Sequence, residues 1–317
     1  MTASLESNSK STSQSLARKL DYLFMLRPTL MFPLWTMVLA GFQLSPSETE
    51  LTAGRWALLA LSTTALFGLV YLLNQMQDRA GDRVNQKLAL VAHDLVSRKV
   101  QWGMAIALIV ISPLSLVLAG YGHVGLLLTA VFAVAGFLYN FTPLALEKTP
   151  VGGILAGVAG SWLLLRLGEA FAEVTPSVIA EMPYILAFTA SCILTSLPDM
   201  KGDVVSGKKT VSVAYGARFT IGAGALLIAA AGVGAALLNE WILVAAALGG
   251  GVFVAWGWAV GSIPSAVLGN KLAIFILAVG VAVQFPVFLG AIVVYYPLAR
   301  WYHRVRFDLD YPSFRAG

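Results

Sequence analysis

Residues 56–82 read Trp56-Ala-Leu-Leu-Ala-Leu-Ser-Thr-Thr-Ala-Leu-Phe-Gly-Leu-Val-Tyr71-Leu-Leu-Asn74-Gln-Met-Gln-Asp78-Arg-Ala-Gly-Asp82. From Trp56 to Gln77 the run is almost unbroken apolar sequence. At about 1.5 Å of rise per residue, some 20 such residues cross the roughly 30 Å hydrocarbon core of a bilayer. The run ends in an amide and two carboxylates spaced i, i+4, i+8. On a continuing helix these three side chains stack on one face, turn over turn. Two carboxylates one turn apart repel, so the arrangement calls for positive charge between them.

Apolar runs of the same kind recur at 22–44, 100–120, 123–142, 151–172, 182–198, 217–238, 240–262 and 271–296. The expectation is an all-α, polytopic membrane bundle of about nine transmembrane helices. Composition agrees: 58% of the 317 residues are hydrophobic and only 12% are charged, half the charged share of a typical soluble domain. That excludes a disordered chain, a disulfide scaffold and an ordinary water-soluble enzyme. Cys192 is the only cysteine and the three histidines are scattered, so no zinc site is implied. The net charge of +5 is read as basic loops facing anionic lipid, with no nucleic-acid partner. The chain divides into a disordered polar tail (1–17), a transmembrane domain (18–299) and a basic, aromatic C-terminal tail (300–317).

Lys and Arg fall on alternate connections. Arg18 and Lys19 precede the first run, Arg79, Arg83, Lys87, Arg98 and Lys99 follow the second, and Lys201, Lys208 and Lys209 follow the sixth. The positive-inside rule makes these connections, and the N-terminus, cytoplasmic. Nine crossings would put the C-terminus outside, against Arg300, Arg304, Arg306 and Arg315. Either the count is off by one or the tail is an interfacial segment balanced by Asp308 and Asp310, the second being the preferred reading; Gln284 and Pro286 are read as a packing feature or kink of the ninth helix.

A second acidic group, Leu197-Pro198-Asp199-Met-Lys-Gly-Asp203 followed by Gly207-Lys208-Lys209-Thr210, repeats the i, i+4 spacing at the end of the sixth run. By this topology both groups reach the same face. Asn74, Asp78, Asp82, Asp199 and Asp203 form a hard oxygen set suited to Mg²⁺, which favours a few carboxylates, waters and substrate phosphate oxygens. Basic residues surround both groups, which suits a diphosphate. The natural ligand is an amphiphile with a diphosphate head and a hydrocarbon tail. Arg166 and Glu169, i and i+3 inside the fifth run, are read either as functional or as a mutually neutralising pair.

At these residues the sequence resembles the UbiA-type intramembrane prenyltransferase superfamily. Asn74, Asp78 and Asp82 match its first motif, and Asp199, Asp203, Gly207 and Thr210 its second. Arg27-Pro28-Thr29 resembles an early Arg-Pro segment, and Tyr139-Asn-Phe-Thr-Pro143-Leu-Ala-Leu-Glu-Lys148 a middle segment. The chain departs from the pattern at Gln75, where Asp is common, and at Glu147, where a basic residue is usual.

The resemblance implies Mg²⁺-dependent transfer of an isoprenyl group from an allylic prenyl diphosphate to a lipophilic, aromatic acceptor inside the membrane. It implies catalytic Asp78, Asp82, Asp199 and Asp203, with Arg98, Lys148, Lys209, Arg27 and Tyr139 on the diphosphate. A membrane terpene cyclase using the same metal site without an external acceptor is the alternative. The expected location is an integral, multi-pass membrane position, the cell (inner) membrane if the source is bacterial, with the N-terminus and site mouth cytoplasmic. A cation transporter would need its acids near mid-bilayer, whereas these lie at one end.

Overall fold

The computed structural model describes residues 2–45, 51–85, 90–121, 123–141, 144–172 and 177–314. Lys87, Thr142, Pro143 and Arg315 lie outside the described residues. The described chain is helical: α1 (Thr2–Phe24), α2 (Pro28–Leu44), α3 (Ala53–Gln77), α4 (Arg79–Val84), α5 (Arg98–Leu118), α6 (His123–Asn140), α7 (Pro150–Ala172), α8 (Val178–Leu194), α9 (Met200–Val205), α10 (Val211–Leu237), α11 (Trp241–Val260), α12 (Ile263–Ala282) and α13 (Pro286–Phe307), with a 3₁₀ turn at Leu146–Lys148. Among the described residues, six helices are long and apolar enough to cross a membrane, and the bent pair Ser13–Phe24 and Pro28–Leu44 makes a seventh. Gly125–Asn140 and Val178–Leu194 are apolar but shorter. This is a polytopic helical membrane bundle.

The helices close on one another. α2 packs on α7, α7 on α8, α8 on α10, α10 on α11, α11 on α12, and α12 returns to α2; α3 lies against α5 and α6. Lipid supplies no hydrophobic force to drive helices together, so close van der Waals approach must do it. The α2–α7 contact illustrates this. A Cβ on Gly41 would overlap the carbonyl of Leu165, and one on Gly168 that of Val38. Met37, Phe67, Leu165, Phe171 and Tyr184 fill the core around that contact.

The pair expected within the fifth run is a triad. Arg166 Nη1 donates to Glu169 Oε2 at 2.9 Å and its Nη2 lies 2.6 Å from Glu181 Oε1 on α8. Both carboxylates are buried. The triad ties the end of α7 to the start of α8, at the end of the bundle away from the aspartates.

Helix α1 runs Thr2–Phe24; its Ala17, Leu20 and Phe24 recur at helical spacing and pack with Met25, Ala299 and Tyr302, so the boundary drawn at residue 17 falls within a helix. One expectation is corrected. The ninth run, 271–296, is two helices. Pro286 lacks an amide proton and stands in the first turn of α13, so α12 ends at Ala282 and the chain reverses. Gln284 and Pro286 mark this reversal rather than a kink.

α13 then traverses the bundle. Phe285 meets Phe42 and Trp56 at the far end, Tyr295 Oη hydrogen-bonds Thr29 Oγ1 at 2.7 Å midway, and Tyr302 Oη donates to Asp21 at 2.7 Å beside Arg306. The run read as the ninth crossing thus supplies two helices, α12 and α13. The arginines of the last segment return to the face that carries the other cations, and the boundary drawn at residue 300 falls within α13.

Candidate functional site

The two acidic groups are built alike. α3 ends at Gln77, and Asp78 begins the short helix α4, yet the turn-by-turn bonding continues. The Asp78 amide donates to Asn74 O and the Asp82 amide to Asp78 O, both at 2.9 Å. Asn74, Asp78 and Asp82 therefore stay stacked. In the second group Asp199 precedes α9, and the Asp203 amide donates to Asp199 O at 2.9 Å.

α4 packs directly on α9. Glycines make this possible. A Cβ on Gly81 would collide with Ser206 Oγ and come within 3.3 Å of Gly202 O, and one on Gly202 would overlap the Asn85 amide. Asn85 fastens the pair: its Oδ1 accepts from the Gly202 amide at 2.8 Å, and its Nδ2 reaches Asp199 O at 3.3 Å. Two groups far apart in sequence thus share one end of the bundle.

A cation sits between the acids. Lys208 Nζ contacts Asp78 Oδ1 and lies 2.8 Å from Glu147 Oε2. Burial alone would pull its ammonium down, but Asp78 and then Glu147 more than offset this and hold it above the ordinary lysine value. Burial, and next the Asp78 charge, push the Glu147 carboxyl up to about 7, with Lys208 opposing. A cavity of about 110 Å³ is lined by Gln77, Asp78, Gly81, Glu147, Lys148 and Lys208, among others.

Asn74 is aimed by its neighbours. Its Nδ2 donates to Asn140 Oδ1 at 2.7 Å and lies 3.4 Å from Glu147 Oε2, while Asn140 is itself held by Gly136 O. These bonds engage the amide nitrogen and leave the oxygen for a ligand. Arg27 Nη2 lies 3.7 Å from Asp82 Oδ2. Thr210 Oγ1 donates to Asp203 Oδ2 at 3.0 Å. Tyr139 is within electrostatic reach of Glu147, Asp78 and Asp203.

Among the described residues no three His, Cys, Asp or Glu side chains converge tightly enough to hold a metal ion unaided. The ammonium of Lys208 stands there as a cation between two carboxylates. The donors are hard oxygens, the type Mg²⁺ takes, so donor set and stand-in cation both fit such an ion.

Of the predicted diphosphate residues, Arg27, Lys148 and Tyr139 come to this site. Arg98 is exposed on the first turn of α5, and Lys209 is exposed with its amide on Lys148 O at 3.0 Å. Neither lines the cavity. Arg79 and Arg83 instead bind the 90–97 turn through Asp94, with Arg79 also on Gln101 and Arg83 on Ala92 O. Sequence reasoning left Asn85, Asn140 and Glu147 without a site role and chose Lys209 over its neighbour Lys208. The interruption of the middle segment by an acid was the one available signal.

Solved structures with the same fold include a UbiA homologue from Archaeoglobus fulgidus bound to DMAPP and Mg²⁺, 16% identical, covering 82% of this chain and 98% of that one, with a TM-score of 0.66. The same homologue bound to GPP and Mg²⁺ is 17% identical over 84% and 99%, with a TM-score of 0.65. An apo UbiA homologue from Aeropyrum pernix K1 is 18% identical over 80% and 97%, with a TM-score of 0.62. No curated protein matches the sequence. The family model for the UbiA prenyltransferase family matches residues 29–279. A match over so much of its length makes this chain a member of the UbiA prenyltransferase family.

Proposed function

We propose that this protein transfers an isoprenyl group from an allylic prenyl diphosphate to an aromatic or otherwise lipophilic acceptor within the membrane, in a Mg²⁺-dependent reaction. The observation that supports the reading is the docking of α4 on α9, which brings the two acidic groups to one end of an apolar bundle. The bound DMAPP, GPP and Mg²⁺ of the Archaeoglobus fulgidus homologue support it. Asn74, Asp78, Asp82, Asp199 and Asp203 would hold the metal, which when bound neutralises charge growing on the departing diphosphate.

The chain's own residues do the rest. Arg27, Lys148 and Lys208 offer fixed positive charge to the diphosphate at the mouth. Asn140 orients Asn74. Tyr71 and Tyr139 both lie within electrostatic reach of Cys192, and aromatic rings there would favour a developing allylic cation. The hydrocarbon tail enters apolar space such as the small chamber lined by Pro33, Met37, Phe188, Leu243 and Leu277. Packed helices exclude the water that would otherwise quench the cation. The distribution of Lys and Arg makes the mouth cytoplasmic, in the cell membrane if the source is bacterial.

The test is incubation of the purified protein with Mg²⁺, a panel of prenyl diphosphates and a panel of aromatic and lipid acceptors, read by mass spectrometry. A prenylated acceptor is expected, with D78A and D199A each losing activity by orders of magnitude. Normal turnover in either variant would refute the site. A hydrocarbon or alcohol formed from donor alone would identify a cyclase instead.

A further inference from the structure

We propose that Glu147 is a further oxygen ligand of the divalent-cation site, adjoining Asn74 and Asp78, and that the Lys208 ammonium keeps these carboxylates together until a metal ion takes its place. The inference rests on the metal-dependent reading above.

Glu147 is 3% exposed. Its Oε2 is engaged by Lys208 at 2.8 Å and lies near Asn74. Its Oε1 is buried and has no hydrogen-bond partner among the described residues. A buried carboxylate oxygen without a partner is costly, and such groups are rare unless a water or an ion answers them. Glu147 lines the same cavity as Asp78, so its carboxylate borders a polar space with other oxygen donors beside it.

Two acids gripping one ammonium show where this site concentrates negative potential. Oxygens that hold an ammonium also suit Mg²⁺, which is smaller and more highly charged. A metal ion at Asp78 and Glu147 would repel Lys208, whose ammonium would then be free for a negative headgroup at the same mouth.

The experiment is Mn²⁺ titration of the full-length protein in detergent, without any prenyl diphosphate, followed by electron paramagnetic resonance. E147Q is expected to weaken Mn²⁺ binding about tenfold, and K208M to tighten it several-fold by removing the internal competitor. D78N separates the two levels of the argument. If D78N binds like the wild type, the metal-site reading itself fails. If D78N weakens binding while E147Q does not, only the role of Glu147 is overturned. Unchanged or weaker binding in K208M overturns the place-holding role of Lys208. Should E147Q fail to fold, E147D decides: its shortened carboxylate is expected to weaken binding, and wild-type affinity would overturn the proposal.

Discussion

Asn85 holds the two halves of the candidate site together, and removing its side chain gives a prediction with a workable magnitude. In N85A the 2.8 Å bond from the Gly202 amide is lost, together with the longer one to Asp199 O. A neutral hydrogen bond contributes about 1 kcal/mol net, and a buried donor left without a partner costs a further 1–3 kcal/mol or so. Gly202 is buried, so the amide cannot turn wholly to water. The docking of α4 on α9 should weaken by about 2 kcal/mol, a factor of roughly 30 in the pairing equilibrium. Apparent metal affinity, which needs both turns in place, should fall by up to that factor. Calorimetric titration of Mg²⁺ into N85A and wild type measures it. N85D keeps an oxygen for the Gly202 amide and should lose less. Wild-type Mg²⁺ affinity in N85A, with an unchanged melting temperature, would refute the idea that this amide couples the two groups.

Other perturbations test the frame around the site. R166M leaves Glu169 and Glu181 buried without their guanidinium; a loss of about 3–5 kcal/mol is expected, seen as a lowered melting temperature with turnover per folded molecule retained. G216A places a side chain at φ 83, ψ 163 within α10, a conformation costing about 1–3 kcal/mol outside glycine, and should lower thermal stability measurably. The Arg79 hydrogen bond holds the Asp94 carboxyl below its ordinary value of 3.8. The tether of the 90–97 turn is therefore present above that value and lost as pH falls through the lower folded one. Hydrogen exchange of that turn should stay slow down to about pH 4 and then quicken, whereas D94N should be fast throughout.

The sequence showed some of these features plainly because they obey periodic rules. Apolar runs near 20 residues leave few alternatives to membrane helices, and aspartates at i, i+4 declare a shared face whatever surrounds them. The reversal at Gln284–Phe285 was less legible, because apolar sequence continues on both sides of it and Pro286 suits either a kink or a helix start. Lys208 and Lys209 are chemically identical neighbours, and only the fold decides which one turns inward. Asn85 and Asn140 carry no spacing signal, since each works through a partner remote in the chain. Glu147 stood out as a departure from a pattern, but its meaning depended on the ammonium that reaches it from beyond α8.

The crossing of α4 over α9 turns the mouth of the bundle into a seam. One wall hangs from α3 and the other from α8, so its width follows the seating of the helices beneath, including α2 on α7 and α7 on α8. The α2–α7 contact is made by backbone against backbone at Gly41 and Gly168, which leaves little room to absorb a shift. Hydrophobic mismatch acts on tilt and seating. A thicker bilayer or a change in lateral pressure will therefore widen or narrow the seam and throttle turnover while leaving every reacting group chemically untouched.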